Sequence, residues 1–316
     1  MKRPAGILFL ILVYGLACAD GLGQEKGNGS FTLYYIAEVK NPEEVKTGGV
    51  ELKLKDGTVK RYRLAPADMK KANMQGTVVK VNPDTGKRTT ANFIQLGKWV
   101  ELPGGWEGSG NRMNPITSYR TVAADQSIHP YGSRVLIPGV VGYKTPDGQV
   151  LDGYFWVGDV GKAIKGKFRF DVFVGDEPIY WEIMHTDGGK WKAPVEVDRI
   201  PSAPKGMSPR TDSGVEKILE GLGYDLEIPA EELIQSLDLS RAVDSSLDAA
   251  LTDFQEQHPQ IPAVEYGMAR APVTTWFLTQ AATAIASGKK YPIGPSGPEQ
   301  PEDQENQEDL EPDTGE

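Results

Sequence analysis

The sequence predicts a mainly β protein, a closed or nearly closed barrel followed by a small α domain built as a helical bundle. Three observations lead there. A dense run of strand signals fills Tyr119 to Gly175, punctuated every several residues by Gly, Pro or Asp, and no helical period falls between them. The 36 glycines and 23 prolines demand many turns, and so many short strands. After a Pro/Ser linker at 201–212 the apolar period changes to three- and four-residue steps, as in Val215, Ile218, Leu219 and Leu222.

Taken in order, the chain opens on an export signal at 1–19. Lys2 and Arg3 form the basic region, and Ile7 to Leu16 form an apolar stretch too short to span a bilayer. Ala17-Cys18-Ala19 offers a cleavage site, so the protein is expected to be exported, periplasmic or extracellular. Cys18 also stands where a lipoprotein cysteine would, which makes an outer-membrane lipid anchor the alternative. As the single cysteine it excludes an intrachain disulfide.

Residues 20–30 read as a polar, Gly-rich leader. Phe31 to Val39 is β-branched and aromatic and reads as a buried strand. Residues 50–63 alternate around Asp56-Gly57, a strong hairpin signal, and a second pair of strands is expected at 76–96. Residues 97–118 read as a long loop inside a β-rich insertion at 41–118. The barrel spans 30–200 and the helical domain 213–287. Asp212 or Ser213 is the expected cap of its first helix, with Gly221 and Gly223 as stops. An acidic tail at 291–316 has too little apolar content to order itself.

That tail also explains the formal charge of −10. It holds nine acidic side chains and no Lys or Arg. Without it and the signal, the body carries 32 basic and 35 acidic residues. Neither part has the basic footprint a nucleic acid requires. His129, His185 and His258 lie too far apart for a paired metal-ligand spacing, so no metal and no cofactor are expected. Gly104-Gly105 and Gly108-Ser-Gly110 lack the Lys-Ser/Thr ending of a phosphate loop, and Ser133 has no nucleophile-elbow context.

The chemistry concentrates in 119–175, where Asp125, Asp159 and Asp171 each sit beside strand-forming apolar residues. Three such carboxyls brought together would raise at least one pKa by desolvation and repulsion. A carboxylic acid held protonated can donate to a leaving oxygen. Spacing alone favours the plainer reading that these are turn aspartates, which are common. His129 before Pro130 reads as a turn residue that could border a cleft. Trp99, Trp106, Tyr119 and Trp156 could stack on a ligand or pack in a core.

These segments resemble the 3D domain, named for its three aspartates and shared with the MltA family of lytic transglycosylases. The matching residues are Asp125, Pro130-Tyr-Gly132, Ile137-Pro138, Asp159-Val-Gly-Lys-Ala-Ile-Lys-Gly166 and Asp171-Val-Phe. The likeness extends upstream to Phe31-Thr-Leu-Tyr-Tyr35 and Met74-Gln-Gly-Thr77. Lys162 replaces a second glycine, and the stretch from Asp159 to Asp171 is one residue longer than is usual. The resemblance implies a double-psi β-barrel that cleaves the β-1,4 bond between N-acetylmuramic acid and N-acetylglucosamine and leaves a 1,6-anhydro sugar. By it, Asp171 is the acid/base, Asp159 tunes that acid or bonds to substrate, and Asp125 completes the cluster or holds the turn. Tyr35, Gly161, Lys162, Lys165 and Trp106 are the candidate substrate contacts, and peptidoglycan glycan strands are the expected partner. No protein partner is inferable. The alternative is a barrel that binds glycan without cleaving it, with Lys162 marking a lost active site. The helices at Gly214–Tyr224, Leu247–Gln255 and Pro272–Trp276 more weakly resemble a peptidoglycan-binding module.

Overall fold

The computed structural model describes residues 25–40, 42–82, 85–95, 97–110, 113–187, 190–226 and 239–292. The expected export signal, Cys18 and the acidic run from residue 293 onward lie outside the described residues.

Strand β1 (Glu25–Val39) is the spine of the molecule. It begins six residues before the expected strand, inside the polar leader. Residues 25–32 pair antiparallel with β14 (Lys190–Asp198), with Glu25 opposite Val197 and Phe31 opposite Trp191. Polar composition did not stop this, because a ladder needs only backbone N–H and C=O groups. The leader's glycines fit close packing: a Cβ on Gly27 would come within 2.3 Å of the Phe168 ring.

Past its midpoint β1 leaves the barrel and starts a second sheet. Ala37 to Val39 pair parallel with β5 (Thr77–Val81), which pairs antiparallel with β6 (Arg88–Gln95). The sheet continues through β7 (Lys98–Glu101), β3 (Val50–Lys53), β4 (Val59–Arg63) and the short β2 (Glu43–Glu44). The β3–β4 hairpin turns at Asp56-Gly57, as expected. Two elements depart from expectation. Residues 98–101 are a strand rather than loop, because Trp99 is buried between Val50, Leu52 and Phe93. Helix α1 (Pro66–Gln75) was hidden by its weak apolar period: only Asp68 and Ala72 are buried along it.

The barrel closes with four more strands. These are β10 (Thr121–Ala123), β11 (Arg134–Leu136), β12 (Tyr154–Asp159) and β13 (Arg169–Asp176). The ring order is β13-β10-β12-β11-β14-β1, and β1 pairs back onto β13. Six strands therefore form a closed barrel, with parallel pairings β1–β13 and β10–β12 among antiparallel ones. This is the closed, mainly β barrel that the sequence predicts, and the resemblance names its class as double-psi. Its interior holds Phe31, Leu33, Val122, Val135, Val157, Phe170, Val172 and Val195. The short pair β8 (Gly108–Ser109) and β9 (Pro115–Ile116) lies over its outer face. Helix α2 (Glu177–Asp187) follows β13 directly.

Among the described residues, the α-helices after the linker are α3 (Asp212–Leu222), α4 (Leu239–Glu256) and α5 (Pro272–Ala286). The cap of α3 is Thr211, one residue before the expected Asp212, and its side chain accepts a hydrogen bond from Gly214 N at 3.2 Å. The helices are not suspended from the barrel. Trp156, only 1% exposed on the outer face of β12, shares one apolar cluster with Val215, Phe254 and Phe277. Arg134 stacks between Tyr154 and Trp276, 5.0 and 5.1 Å from the ring centres, while its guanidinium pairs with Asp198 at 2.6 Å. Tyr291, assigned by composition to the tail, is buried, and its hydroxyl lies 3.0 Å from His258 Nε2.

Candidate active site

Strand register brings two of the three aspartates together. Ala123 of β10 lies opposite Asp159 of β12 on one side and Asp171 of β13 on the other. Thr32 of β1 lies opposite Asp171 in turn. The row Asp159, Ala123, Asp171, Thr32 thus crosses four strands. Val122, Val157, Val172 and Leu33 point into the barrel core, so alternation puts this row on the outer face. A bulge at Gly158 sets the row, because it shifts the pairing of β12 so that Asp159 and not Gly158 meets Ala123. The bulge needs glycine for space as well: a Cβ there would lie 2.8 Å from Thr121 Cγ2 and 3.0 Å from Pro272 Cγ.

Tyr34 completes the constellation. It follows Thr32 by two positions and so shares the row's face. Its hydroxyl is buried, close to Asp159 but without a well-aligned hydrogen bond. Burial first, and then the charges of Asp159 and Asp171, hold its pKa well above the ordinary phenol value. It therefore stays a proton donor. Tyr35, an expected substrate contact, instead joins the core cluster, 4.3 Å from the Tyr180 ring. Which of two adjacent tyrosines faces the carboxylates depends on register alone, and a one-residue slip exchanges them.

Asp171 is the carboxyl with the environment of an acid. Its side chain is 21% exposed, and burial pushes its pKa up. Arg169 opposes that shift, with Nη1 2.8 Å from Asp171 Oδ1. Arg169 is itself clamped, donating to Thr32 Oγ1 at 2.6 Å and to the Phe170 carbonyl. Asp159 accepts from its neighbour Val160 N at 2.8 Å.

Asp125 has different surroundings. Its Oδ1 accepts from Ser127 Oγ at 2.7 Å and from Ser127 N at 3.2 Å, and its Oδ2 accepts from Gly166 N at 3.3 Å. The Ser127 bond, then the Gly166 bond, lower its pKa. Its carbonyl accepts from Ile128 and His129. Asp125 therefore ties the 125–132 turn to the 160–167 loop, and Gly166 meets it in a left-handed conformation, φ 97°, that favours glycine. His129 is buried in that turn, with Nε2 2.5 Å from the Lys167 carbonyl.

The remaining candidates are spread out. Gly161 is held by packing, since a Cβ would meet Ile164 at 2.5 Å. Lys162 is exposed on the same loop, and Lys165, 69% exposed, lies 3.8 Å from Asp125. Trp106 lines a separate cavity beside Glu107 and Asp176. Trp99, Tyr119 and Trp156 are core residues. Among the described residues, no group of three or more His, Cys, Asp or Glu is arranged to hold a metal ion, and no helix is long and apolar enough to cross a membrane.

Comparison with known proteins follows this geometry. A search of curated proteins finds no match to the sequence. Among solved structures, Escherichia coli MltA with bound chitohexaose is similar at 15% identity and a TM-score of 0.39, over 55% of this chain and 73% of that one. A membrane-bound lytic murein transglycosylase from Agrobacterium tumefaciens is similar at 14% identity and 0.38, over 54% and 74%. MltA from Neisseria gonorrhoeae is similar at 13% identity and 0.39, over 56% and 74%. The family model described as the 3D domain matches residues 120–181. That span contains Asp125, Asp159 and Asp171, and the protein accordingly carries a 3D domain.

Proposed function

We propose that the protein is a lytic transglycosylase of peptidoglycan, with Asp171 as its single acid/base. The observation that carries this reading is the partly buried Asp171 carboxyl with its raised pKa, placed in one row with Asp159 beside the buried Tyr34 hydroxyl. Protonated Asp171 donates to the glycosidic oxygen between N-acetylmuramic acid and N-acetylglucosamine, and the bond from C1 to that oxygen breaks. The C6 hydroxyl oxygen of the same muramyl ring then closes onto C1, and its proton returns to Asp171. One carboxyl serves both steps, no water attacks, and the product is a 1,6-anhydro sugar. This differs from hydrolases that set two carboxyls across the bond.

The neighbours have distinct parts. Asp159 supplies negative charge next to the positive charge developing at C1 and accepts a sugar hydroxyl. Tyr34, protonated throughout, donates to whichever carboxylate or sugar oxygen comes within reach. Arg169 limits how far the Asp171 pKa rises, so that the residue can also act as a base. The exposed Lys162 and Lys165 sit where the carboxylates of peptidoglycan peptides could be met.

A second reading has its own support. The Arg169 ion pair favours the ionised form of Asp171, and Lys162 stands where the family pattern has glycine, as in a barrel that only binds glycan. Digestion of purified sacculi, followed by mass spectrometry of soluble fragments, separates the two. Anhydro ends are expected. Reducing ends would identify a hydrolase, and no fragments would leave a binding protein.

A further inference from the structure

A second recess lies apart from the aspartate row. It has a volume of about 420 Å³, within the range of small-ligand sites. Its walls come from the second sheet, from the loop around Trp106, and from the far end of β13. Trp106 is partly exposed at its rim.

The charges of this recess are unequal. Glu101, Glu107, Asp147 and Asp176 face Lys55 and Arg88 across it. Arg88 is engaged, donating to both oxygens of Asp176 at 2.6 Å. Three acids therefore remain without an ion pair among the described residues, against the exposed Lys55, although neutral donors reach Asp147 from Tyr119, Thr145 and Gln149 and Glu101 from Lys55 N. Glu107 is the most enclosed of them, and its Oε2 accepts from Ser118 N at 2.7 Å and from Ser118 Oγ at 2.5 Å. An excess of carboxylates with an indole at the rim suits a cation, whose charge the ring face also attracts. A neutral sugar gains nothing from that excess.

Distance relates the recess to the row. Asp171 and Asp176 stand on the same strand, five residues and one bulge apart, so at roughly 3.3 Å per residue at most about 16 Å separates the row from the Asp176 wall. An extended peptide of about three to five residues covers roughly 10–17 Å. The muramyl ring placed at Asp171 carries a short peptide stem of that order, and the stem contains a diamino acid whose side-chain amine is free unless cross-linked.

We infer that this recess receives the free amino group of a peptidoglycan stem, with Trp106, Glu107 and Asp147 as its contacts. The inference deepens the proposed function and rests on it for the identity of the ligand. It makes the protein select stems that are not cross-linked, because an amide in place of the ammonium loses its charge.

Isothermal titration of the full-length protein tests it, with L-Ala-γ-D-Glu-L-Lys and its Nε-acetyl form as probes. The free-amine peptide is expected to bind, and the acetylated one at least about ten-fold more weakly. Trp106→Ala and the near-isosteric Glu107→Gln are expected to weaken the free-amine peptide by a similar factor at unchanged urea midpoint. Equal binding of both peptides, binding of neither, or full affinity in both variants would overturn the inference. The sacculus digest reads the proposed function separately. Anhydro fragments without peptide binding would remove this inference alone, and peptide binding without fragments would remove the lyase reading alone.

Discussion

At the scale of single residues, the site turns on how differently three aspartates are surrounded. Asp125 has hydrogen-bond donors on both oxygens and a lowered pKa, whereas Asp171 is desolvated and opposed mainly by Arg169. Asp171→Asn should therefore lower anhydro-muropeptide release by about 10²-fold or more, the usual contribution of a general acid. The same variant should not lose stability. A folded-state pKa above the ordinary 3.8 stabilises the protonated form, and that contribution is lost as pH rises through the raised value. At neutral pH the Asn variant should have an equal or higher urea midpoint, with the difference closing below pH 3.8. A lower midpoint at neutral pH would show that the native charge is stabilising. Arg169→Gln removes the group that opposes the shift. Its pH–rate profile should keep its shape, with the alkaline limb moved to higher pH. An unmoved limb would mean that another group sets it.

The elements show how the row and its supports are fixed. The β12 bulge at Gly158 lies against Thr121 and Pro272, so strand β12 carries Asp159 at a point where the first residue of α5 abuts the barrel. The start of α5 depends on Glu265. Its carboxylate accepts from Val273 N at 3.3 Å, Thr274 N at 2.8 Å and Thr274 Oγ1 at 3.0 Å. Full burial pushes its pKa up to about 7. Glu265→Ala should cost about 1–3 kcal/mol, because it leaves buried N–H groups unpaired, and urea denaturation measures the loss. The sign for the native residue is the reverse of the usual carboxylate case. Its raised pKa contributes stability below pH 4.5 that fades as pH rises through about 7, so the helical part should be less resistant to urea at pH 8 than at pH 5.

For the whole molecule, the barrel and the helices are joined by packing and not merely by the 201–212 linker. Trp156 belongs to the barrel by strand pairing and to the helices by its contacts. Ending the chain at Asp212 would uncover that face, and the barrel alone should be less soluble and bind a hydrophobic dye. Ending after Pro292 should leave the melting temperature unchanged. Ending after Lys290 removes the Tyr291 ring from Phe254 and His258 and should cost about 2 kcal/mol. Equal melting temperatures for the two truncations would show that Tyr291 contributes little.

The amino-acid sequence by itself determined the fold class, the barrel-to-helix order, the Asp56-Gly57 hairpin and the segment that carries the three aspartates. Those follow from local signals: apolar period, turn residues and motif spacing. It did not reveal α1, whose apolar period is weak, nor the extension of β1 into a Gly-rich leader, since backbone pairing is blind to side-chain polarity. Only the tertiary structure decided which aspartates meet. Register across four strands and one bulge put Asp159 and Asp171 in a row, turned Tyr34 and not Tyr35 toward them, and left Asp125 to hold a turn. A carboxyl's chemistry is set by what surrounds it, and here those surroundings come from strands more than a hundred residues apart in the chain, as Thr32 and Asp171 are.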